Sequence, residues 1–347
     1  METSIYTIAQ LGTKKIQTTQ EGLITLSGNG SDLTNEKMQK NRCKKKLVTQ
    51  ILMLNLIKIA ETKKDKELMY SFWNTYNCQK KIKTFEGRAH SEYCKNRFCT
   101  VCLGIKKAVI IKIYHPTLST WQGCYFVTLT AKSVPAKNLK YRFFQMIRGL
   151  NLIIDKYEKR HRRGKGKKLI GIRSLECNYN PNKRTYNPHF HLIVKDKETA
   201  EILKMEWLKL LTPKFASKKA QDIQPVYNLE TGLVELIKYG TKVFTEPIED
   251  TNKGKKQTVF IYAKAFYNII SAMKGRRLFS SFGFRIPKDH RVTEKVEKKT
   301  ADYENWVHNF KLMDWENTQT KERLNNYLPS DELIQLLFTD KINTDLE

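Results

Sequence analysis

Between residues 168 and 194 the chain commits itself to a sheet. The runs KLIGIRSLECNY and HFHLIV are apolar and β-branched, and NPNKRTYNP between them carries the Asn and Pro residues that turns favour. Two strands joined through such a turn pair as a hairpin, so the sheet is antiparallel or mixed. GCYFVTLT at 123–130 adds a buried strand and IQPVYN a short one. Leu139, Phe143, Ile147, Leu150, Ile154 and Tyr157 recur at helical spacing, and 197–211, GLVELIKYGTKVF and 259–274 read as further helices. The expectation is an α+β fold with a central antiparallel β-sheet flanked by helices.

Around this core the sequence divides further. Residues 1–34 are polar and aperiodic and read as a loose segment. In 35–77, a basic helical region, Leu47, Ile51, Leu54 and Ile57 form a packing stripe behind the basic run KNRCKKK, which reads as a solvated end. A cysteine segment with a linking helix occupies 78–115, and the strand-bearing region runs over 116–287. Residues 288–347 are highly charged and read as a tail with a short helix near SDELIQLLF.

His189 and His191 stand two apart on a strand and therefore face the same side, where two imidazoles can converge on one ion. Taken alone, the pair reads first as two half-exposed histidines of a sheet. A catalytic divalent ion needs a harder third ligand, and Glu176, near the end of the preceding strand among apolar neighbours, is the best carboxylate for it, while taken alone it reads equally as an ordinary surface glutamate. Phe190, Leu192 and Val194 alternate to the other face and belong to the core. In GLVELIKYGTKVF, Glu235 and Tyr239 are four apart on one helical face with Lys242 beyond them. Such a cluster is either an exposed hydrogen-bonded group or a phenolic nucleophile with a base and a phosphate-binding cation. A phenol with an ordinary pKa of about 10 needs that help at neutral pH.

Lys and Arg number 63 against 35 Asp and Glu, a net charge of +28, which calls for a polyanionic partner. The chain has no apolar run of the roughly 20 residues that span a bilayer, and METSIYTIAQLGTKK does not read as an export signal. Seven cysteines, an odd number, point to reduced thiols or metal ligands, so a cytoplasmic nucleic-acid protein is expected. Cys78, Cys94, Cys99 and Cys102 follow the spacing C-x15-C-x4-C-x2-C, whose last pair suits a tetrahedral structural Zn²⁺. His90 is a possible substitute ligand, and Cys43, Cys124 and Cys177 read as buried unliganded thiols. Lys95, Arg97, Lys106 and Lys107 flank the knuckle and are candidate DNA-phosphate contacts.

The order FVTLT at 126–130, NPHFHLIV at 187–194 and ELIKYGTK at 235–242 resembles the three motifs of plasmid rolling-circle replication initiators in the HUH endonuclease superfamily. RRLFSSFGF at 276–284 is similar to the terminal motif of the same proteins, so the resemblance covers 78–285. It implies that 116–287 is a ferredoxin-like HUH nuclease core of the single-tyrosine type, preceded by the cysteine knuckle. It further implies that Tyr239 attacks one phosphodiester of plasmid origin DNA, single-stranded or extruded as a hairpin. The tyrosine is then joined to the 5′ end, and a 3′ hydroxyl is left to prime synthesis. Glu235 stands where a glutamate activates water in the terminating cleavage, and Mg²⁺ or Mn²⁺ would lie on His189, His191 and a third ligand that no motif fixes. Arg276 and Arg277 join the DNA-binding candidates, and a host helicase and polymerase are the implied partners. A transposase or mobilisation relaxase would share the chemistry; a zinc-containing regulator would share only the charge.

Overall fold

The structure, a computed structural model, describes residues 24–27, 31–85, 87–237, 261–287, 295–298, 303–338 and 342–343. In chain order its elements begin with β1 (Ile24–Ser27), β2 (Ser31–Asp32), α1 (Glu36–Thr62), α2 (Lys66–Tyr76), β3 (Lys81–Phe85), β4 (Arg88–Ser91) and α3 (Thr100–Leu118). They continue with β5 (Tyr125–Thr130), α4 (Ala136–Arg162), β6 (Gly171–Asn180), β7 (Thr185–Val194), α5 (Lys197–Phe215), β8 (Asp222–Pro225) and α6 (Leu229–Leu236). After these come β9 (Ile261–Tyr262), α7 (Ala263–Met273), β10 (Phe279–Phe282), β11 (Lys295–Lys298), β12 (Glu304–Asn309), β13 (Asp314–Asn317), α8 (Asp331–Phe338) and β14 (Ile342–Asn343). The fold is α+β. It divides into two compact units, Met1–Val101 with Thr293–Leu337, and Cys102–Val292 with Phe338–Glu347.

In the first unit α1 starts at Asn35, whose side chain accepts from the Met38 amide at 3.0 Å. The expected stripe Leu47, Ile51, Leu54 and Ile57 is buried, but so is every residue from Lys46 to Leu54, so this helix is covered nearly all round. An antiparallel sheet of order β13-β12-β3-β4-β2 supplies the core residues Ile82, Ala89, Trp306 and Trp315, which pack with Cys43 of α1 and with Tyr327. Trp315 donates its indole N–H to the Gln79 carbonyl at 2.8 Å, and Trp306 donates to the Thr84 hydroxyl at 2.8 Å. Buried Asp314 accepts from the amide and side chain of Asn325 and from the amides of Trp315 and Tyr327. Glu304–Asn309 and Asp314–Asn317, inside the stretch that reads as a charged tail, are thus strands of this sheet. Two tryptophans and one buried aspartate anchor it, and the Lys and Glu around them hide that signal from any average over the sequence.

In the second unit a five-stranded sheet runs β10-β6-β7-β5-β8, every neighbour antiparallel. Its centre is the long β6–β7 hairpin, paired from Gly171↔Val194 to Asn180↔Thr185. One face is apolar: Phe190, Leu192 and Val194 are fully buried, and Phe190 meets the Trp207 ring of α5 edge-on at 5.9 Å. On α4 the buried apolar side chains are Leu139, Phe143, Met146, Leu150, Ile153 and Tyr157, with Arg142 and Gly149 buried beside them. Met146 and Ile153 stand in the core where Ile147 and Ile154 were expected, and those two isoleucines are half-buried at the border of the same apolar face. Gly283 has φ +77°, and a Cβ there would lie 2.0 Å from the Leu169 carbonyl oxygen. Only glycine lets the segment after β10 pass that close. No helix among the described residues is long and apolar enough to cross a membrane.

Candidate metal centre and its surroundings

The register of the hairpin builds the first site. Glu176 of β6 lies opposite His189 of β7, and Ser174 opposite His191, while β5 sets Thr130 beside His189 and Thr128 beside His191. Cross-strand partners share a face, so the carboxylate, both imidazoles and both threonines project together, away from Phe190. The Glu176 carboxylate oxygen Oε2 lies 3.7 Å from Nε2 of each histidine. Glu176 and His189 are only 3% and 4% exposed, and the His191 side chain 12%.

Hydrogen bonds orient both rings and fix the tautomer of one. His189 Nδ1 lies 3.0 Å from the Asn187 carbonyl oxygen, which can only accept, so Nδ1 carries the proton and Nε2 the lone pair. His191 Nδ1 lies 3.2 Å from the Thr128 hydroxyl, which can donate or accept, so the contact orients the ring and leaves Nε2 towards Glu176. The two rings stand edge to face at 4.7 Å, and Phe126 flanks His191 at 5.2 Å. Metal–ligand bonds of about 2.0–2.2 Å place two donors of one ion about 3–4 Å apart, and the three donor atoms here lie within 4.8 Å of one another. Two neutral imidazoles and one carboxylate therefore fit a divalent ion and leave coordination positions for substrate oxygens.

Helix α6 reaches the same face. Asn228 caps it by accepting from the Thr231 amide at 2.9 Å, and Gly232 lets it approach Ile193, whose Cδ1 would lie 3.5 Å from a Cβ at 232. Ile193 shares the face of His189 and His191. Leu233, Leu236 and Ile237 are fully buried, and Glu235 is half-buried in the last turn. Tyr239 and Lys242, the expected nucleophile and cation, lie outside the described residues.

The second cluster is cysteine. The thiols of Cys78, Cys94, Cys99 and Cys102 lie within 4.8 Å of one another, Cys99 just before α3 and Cys102 in its first turn. Zn–S bonds of about 2.3 Å hold tetrahedral sulfurs about 3.8 Å apart, so this set can also hold a metal. His90 is not of the group; it stacks on Phe85 at 4.5 Å. Cys43 and Cys124 are buried and Cys177 half-buried, and all seven cysteines are unbridged.

Sequence reasoning missed three residues here. Thr128 and Asn187 orient the imidazoles, and only the strand register reveals that. Lys46, from a run read as solvated, is fully buried and donates Nζ to the Tyr76 carbonyl at 2.8 Å and to the Cys78 carbonyl. Burial pushes its ammonium down to about 8, and the thiols of Cys78, Cys99 and Cys94 pull against that shift. Of the proposed DNA contacts, Lys95, Lys106 and Arg277 are exposed, and Arg97 and Lys107 half-buried. Arg276 gives Nε to the Ala272 carbonyl at 3.1 Å and Nη2 to that of Lys140 at 3.3 Å, so it also closes α7.

No family model and no solved structure matches the chain. Among curated proteins it is similar to the Protein rep of Bacillus amyloliquefaciens, 25% identical over 224 residues that cover 56% of this chain and 62% of that protein. The Protein rep of Staphylococcus aureus is 26% identical over 223 residues, 60% of this chain and 91% of that one. For the Protein rep of Streptococcus pneumoniae serotype 2 the figures are 30% over 118 residues, 31% of this chain and 34% of that one. The match thus spans less than two-thirds of the first relative's length, and all three relatives carry the one name.

Proposed function

We propose that this chain is the replication initiator of a rolling-circle plasmid, an HUH-type nickase whose nucleophile is Tyr239. One observation carries the reading: Glu176, His189 and His191 meet on one sheet face with both Nδ1 atoms engaged and both Nε2 atoms turned to the carboxylate. Likeness to proteins named Protein rep and a net charge of +28 support it. The three ligands would hold Mg²⁺ or Mn²⁺, and bound there the ion polarises the scissile phosphate and stabilises the charge that develops on it. The phenolic oxygen of Tyr239 bonds to phosphorus as the bond to the 3′ oxygen breaks. The phenolic proton passes to solvent, and the 3′ oxygen takes up a proton from solvent to become the primer hydroxyl. In the terminating cleavage Glu235 accepts a proton from the water whose oxygen bonds to phosphorus, and Lys242 neutralises a phosphate oxygen. Origin DNA is the substrate, with host helicase and polymerase downstream, in the cytoplasm.

The test is nicking of supercoiled plasmids carrying candidate origins, with and without Mn²⁺. The wild type relaxes one of them only with the metal, and Tyr239→Phe does not. Intact plasmid across all origins under both conditions contradicts the reading.

Thr128 gives a finer check. Thr128→Val removes the hydroxyl that orients His191, and calorimetric titration with Mn²⁺ should show affinity lowered by about 10- to 100-fold with the fold unchanged. An unchanged affinity removes Thr128 from the site.

For the cysteine cluster we propose a structural Zn²⁺, with Lys95, Arg97, Lys106 and Lys107 touching phosphates nearby. Four thiolates around Zn²⁺ carry two net negative charges, and the buried Lys46 ammonium offsets one of them. Lys46→Met should therefore weaken zinc retention against a colorimetric chelator by about tenfold or more. Equal retention means that the lysine serves packing alone.

A further inference from the structure

Packing in the core accounts for the inner side of α4, but not for its solvent side. Lys137, Tyr141, Phe144 and Arg148 follow one another at steps of four, three and four, which sets them on one stripe of the helix, and Lys140 stands four before Phe144 on the same side. All five are exposed. Tyr141 and Phe144 are 63% and 46% exposed, and their ring centroids lie 6.5 Å apart at an interplanar angle of 27°, so the helix holds two nearly parallel rings out in water. Scattered apolar residues on a surface need no explanation, but a contiguous aromatic pair marks a surface that something covers. The charges identify that cover. From Ala131 to Ile154 the chain contains no Asp or Glu, so three cations border the rings without a carboxylate among them. Arg276 donates Nη2 to the Lys140 carbonyl at 3.3 Å, which ties a further cation to the edge of the stripe. Exposed Asp155 is the first acid along this side and ends it. Flat apolar faces interleaved with cations match a chain of bases and phosphates.

We propose that this stripe of α4 is a binding surface for single-stranded DNA, with bases stacked on Tyr141 and Phe144 and backbone phosphates on Lys137, Lys140 and Arg148. A duplex keeps its base faces stacked on one another, so the exposed rings gain from an unpaired strand. Lys137 to Arg148 spans about 16 Å of helix, room for a short run of nucleotides. Gly149 of α4 lies against Trp207 of α5, whose ring meets Phe190, so α4 covers the sheet face opposite His189 and His191. The surface is therefore separate from the metal centre and holds a strand outside the place of cleavage. The inference rests on reading this chain as a DNA-binding protein, and it does not require Tyr239 to be a nucleophile.

The experiment uses the full chain in EDTA and compares its affinity for an oligodeoxythymidine with that for an abasic strand of the same length, across a salt series. The wild type should prefer the strand that carries bases. The double variant Tyr141→Ala, Phe144→Ala should bind the thymidine strand about tenfold or more weakly and the abasic strand as before, so the preference disappears. Tyr141→Leu, Phe144→Leu keeps apolar area without a ring face and should lose the preference too. Lys140→Gln, Arg148→Gln should weaken both strands and flatten the slope of log affinity against log salt by about 1.4, two single-strand phosphate contacts. All four side chains are exposed, so melting temperatures should stay near that of the wild type. If the alanine pair binds the thymidine strand as tightly as the wild type, the proposal is overturned. It is equally overturned if that pair turns a self-associating wild type into a monomer in sedimentation velocity with its DNA affinity unchanged, which makes a second copy of the chain the cover. Tyr239→Phe should lose nicking and keep both affinities, so the stacking surface and the cleavage reading fail separately.

Discussion

Replacing His189 and His191 together by alanine should abolish Mn²⁺ binding at the sheet and lower strand cleavage by about three orders of magnitude or more. The expectation follows from the geometry of β7. Both imidazoles leave the strand on the face opposite Phe190, Leu192 and Val194, so their removal leaves the apolar layer against α4 and α5 in place. What goes is both nitrogen donors of a three-donor set, and the remaining carboxylate of Glu176 binds an ion weakly by itself. A purely structural histidine pair predicts something different. In that case the variant would be destabilised, and Mn²⁺ would not raise the melting temperature of the wild type. Ligand binding at 100 times the dissociation constant stabilises a fold by about 2.7 kcal/mol, a shift that calorimetry resolves. Wild-type protein that gains nothing from Mn²⁺ would count against the metal site whatever the variant does.

Cysteine loss should have an effect of similar size on stability. Cys99, in the chain segment that follows β4 in sequence, is fully buried and is one of four thiols within reach of one ion. Cys99→Ser should cost more than about 4 kcal/mol, the range set by loss of a structural metal. The serine is isosteric, so a packing role alone would cost far less. Chelation of the wild type should reproduce the loss, and readdition of Zn²⁺ should reverse it in the wild type only. Tight retention of one zinc per chain in Cys99→Ser, with unchanged melting, would refute the assignment.

The hairpin was legible because alternation and turn residues agree: HFHLIV can form a strand with two histidines on one side, and NPNKRTYNP can close on the strand before it. Glu176 was legible for a related reason, since a carboxylate among apolar strand residues is costly unless it meets a partner, although the strand runs on to Asn180 and places it in the middle and not near the end. Its register opposite His189 supplies that partner. Thr128 escaped notice because FVTLT offers two threonines of equal appeal, and only the pairing of β5 with β7 sets Thr128 against His191 and Thr130 against His189. Lys46 escaped because burial of one lysine within KNRCKKK depends on carbonyls at the end of α2, thirty residues away in sequence, and on thiols further on. The sheet formed by 304–317 escaped because its apolar anchors are few and its charges many. In each case the missing information was long-range pairing, which local periodicity does not carry.

The most direct test of the central claim is chemical. The protein is incubated with Mn²⁺ and a single-stranded origin oligonucleotide, quenched, digested with trypsin and nuclease, and analysed by mass spectrometry. The account predicts nucleotide 5′-phosphate mass on the peptide that contains Tyr239, absent with EDTA and absent from the His189→Ala, His191→Ala double variant. Cleavage that proceeds without an adduct, or an adduct that forms equally well in that double variant, would contradict it.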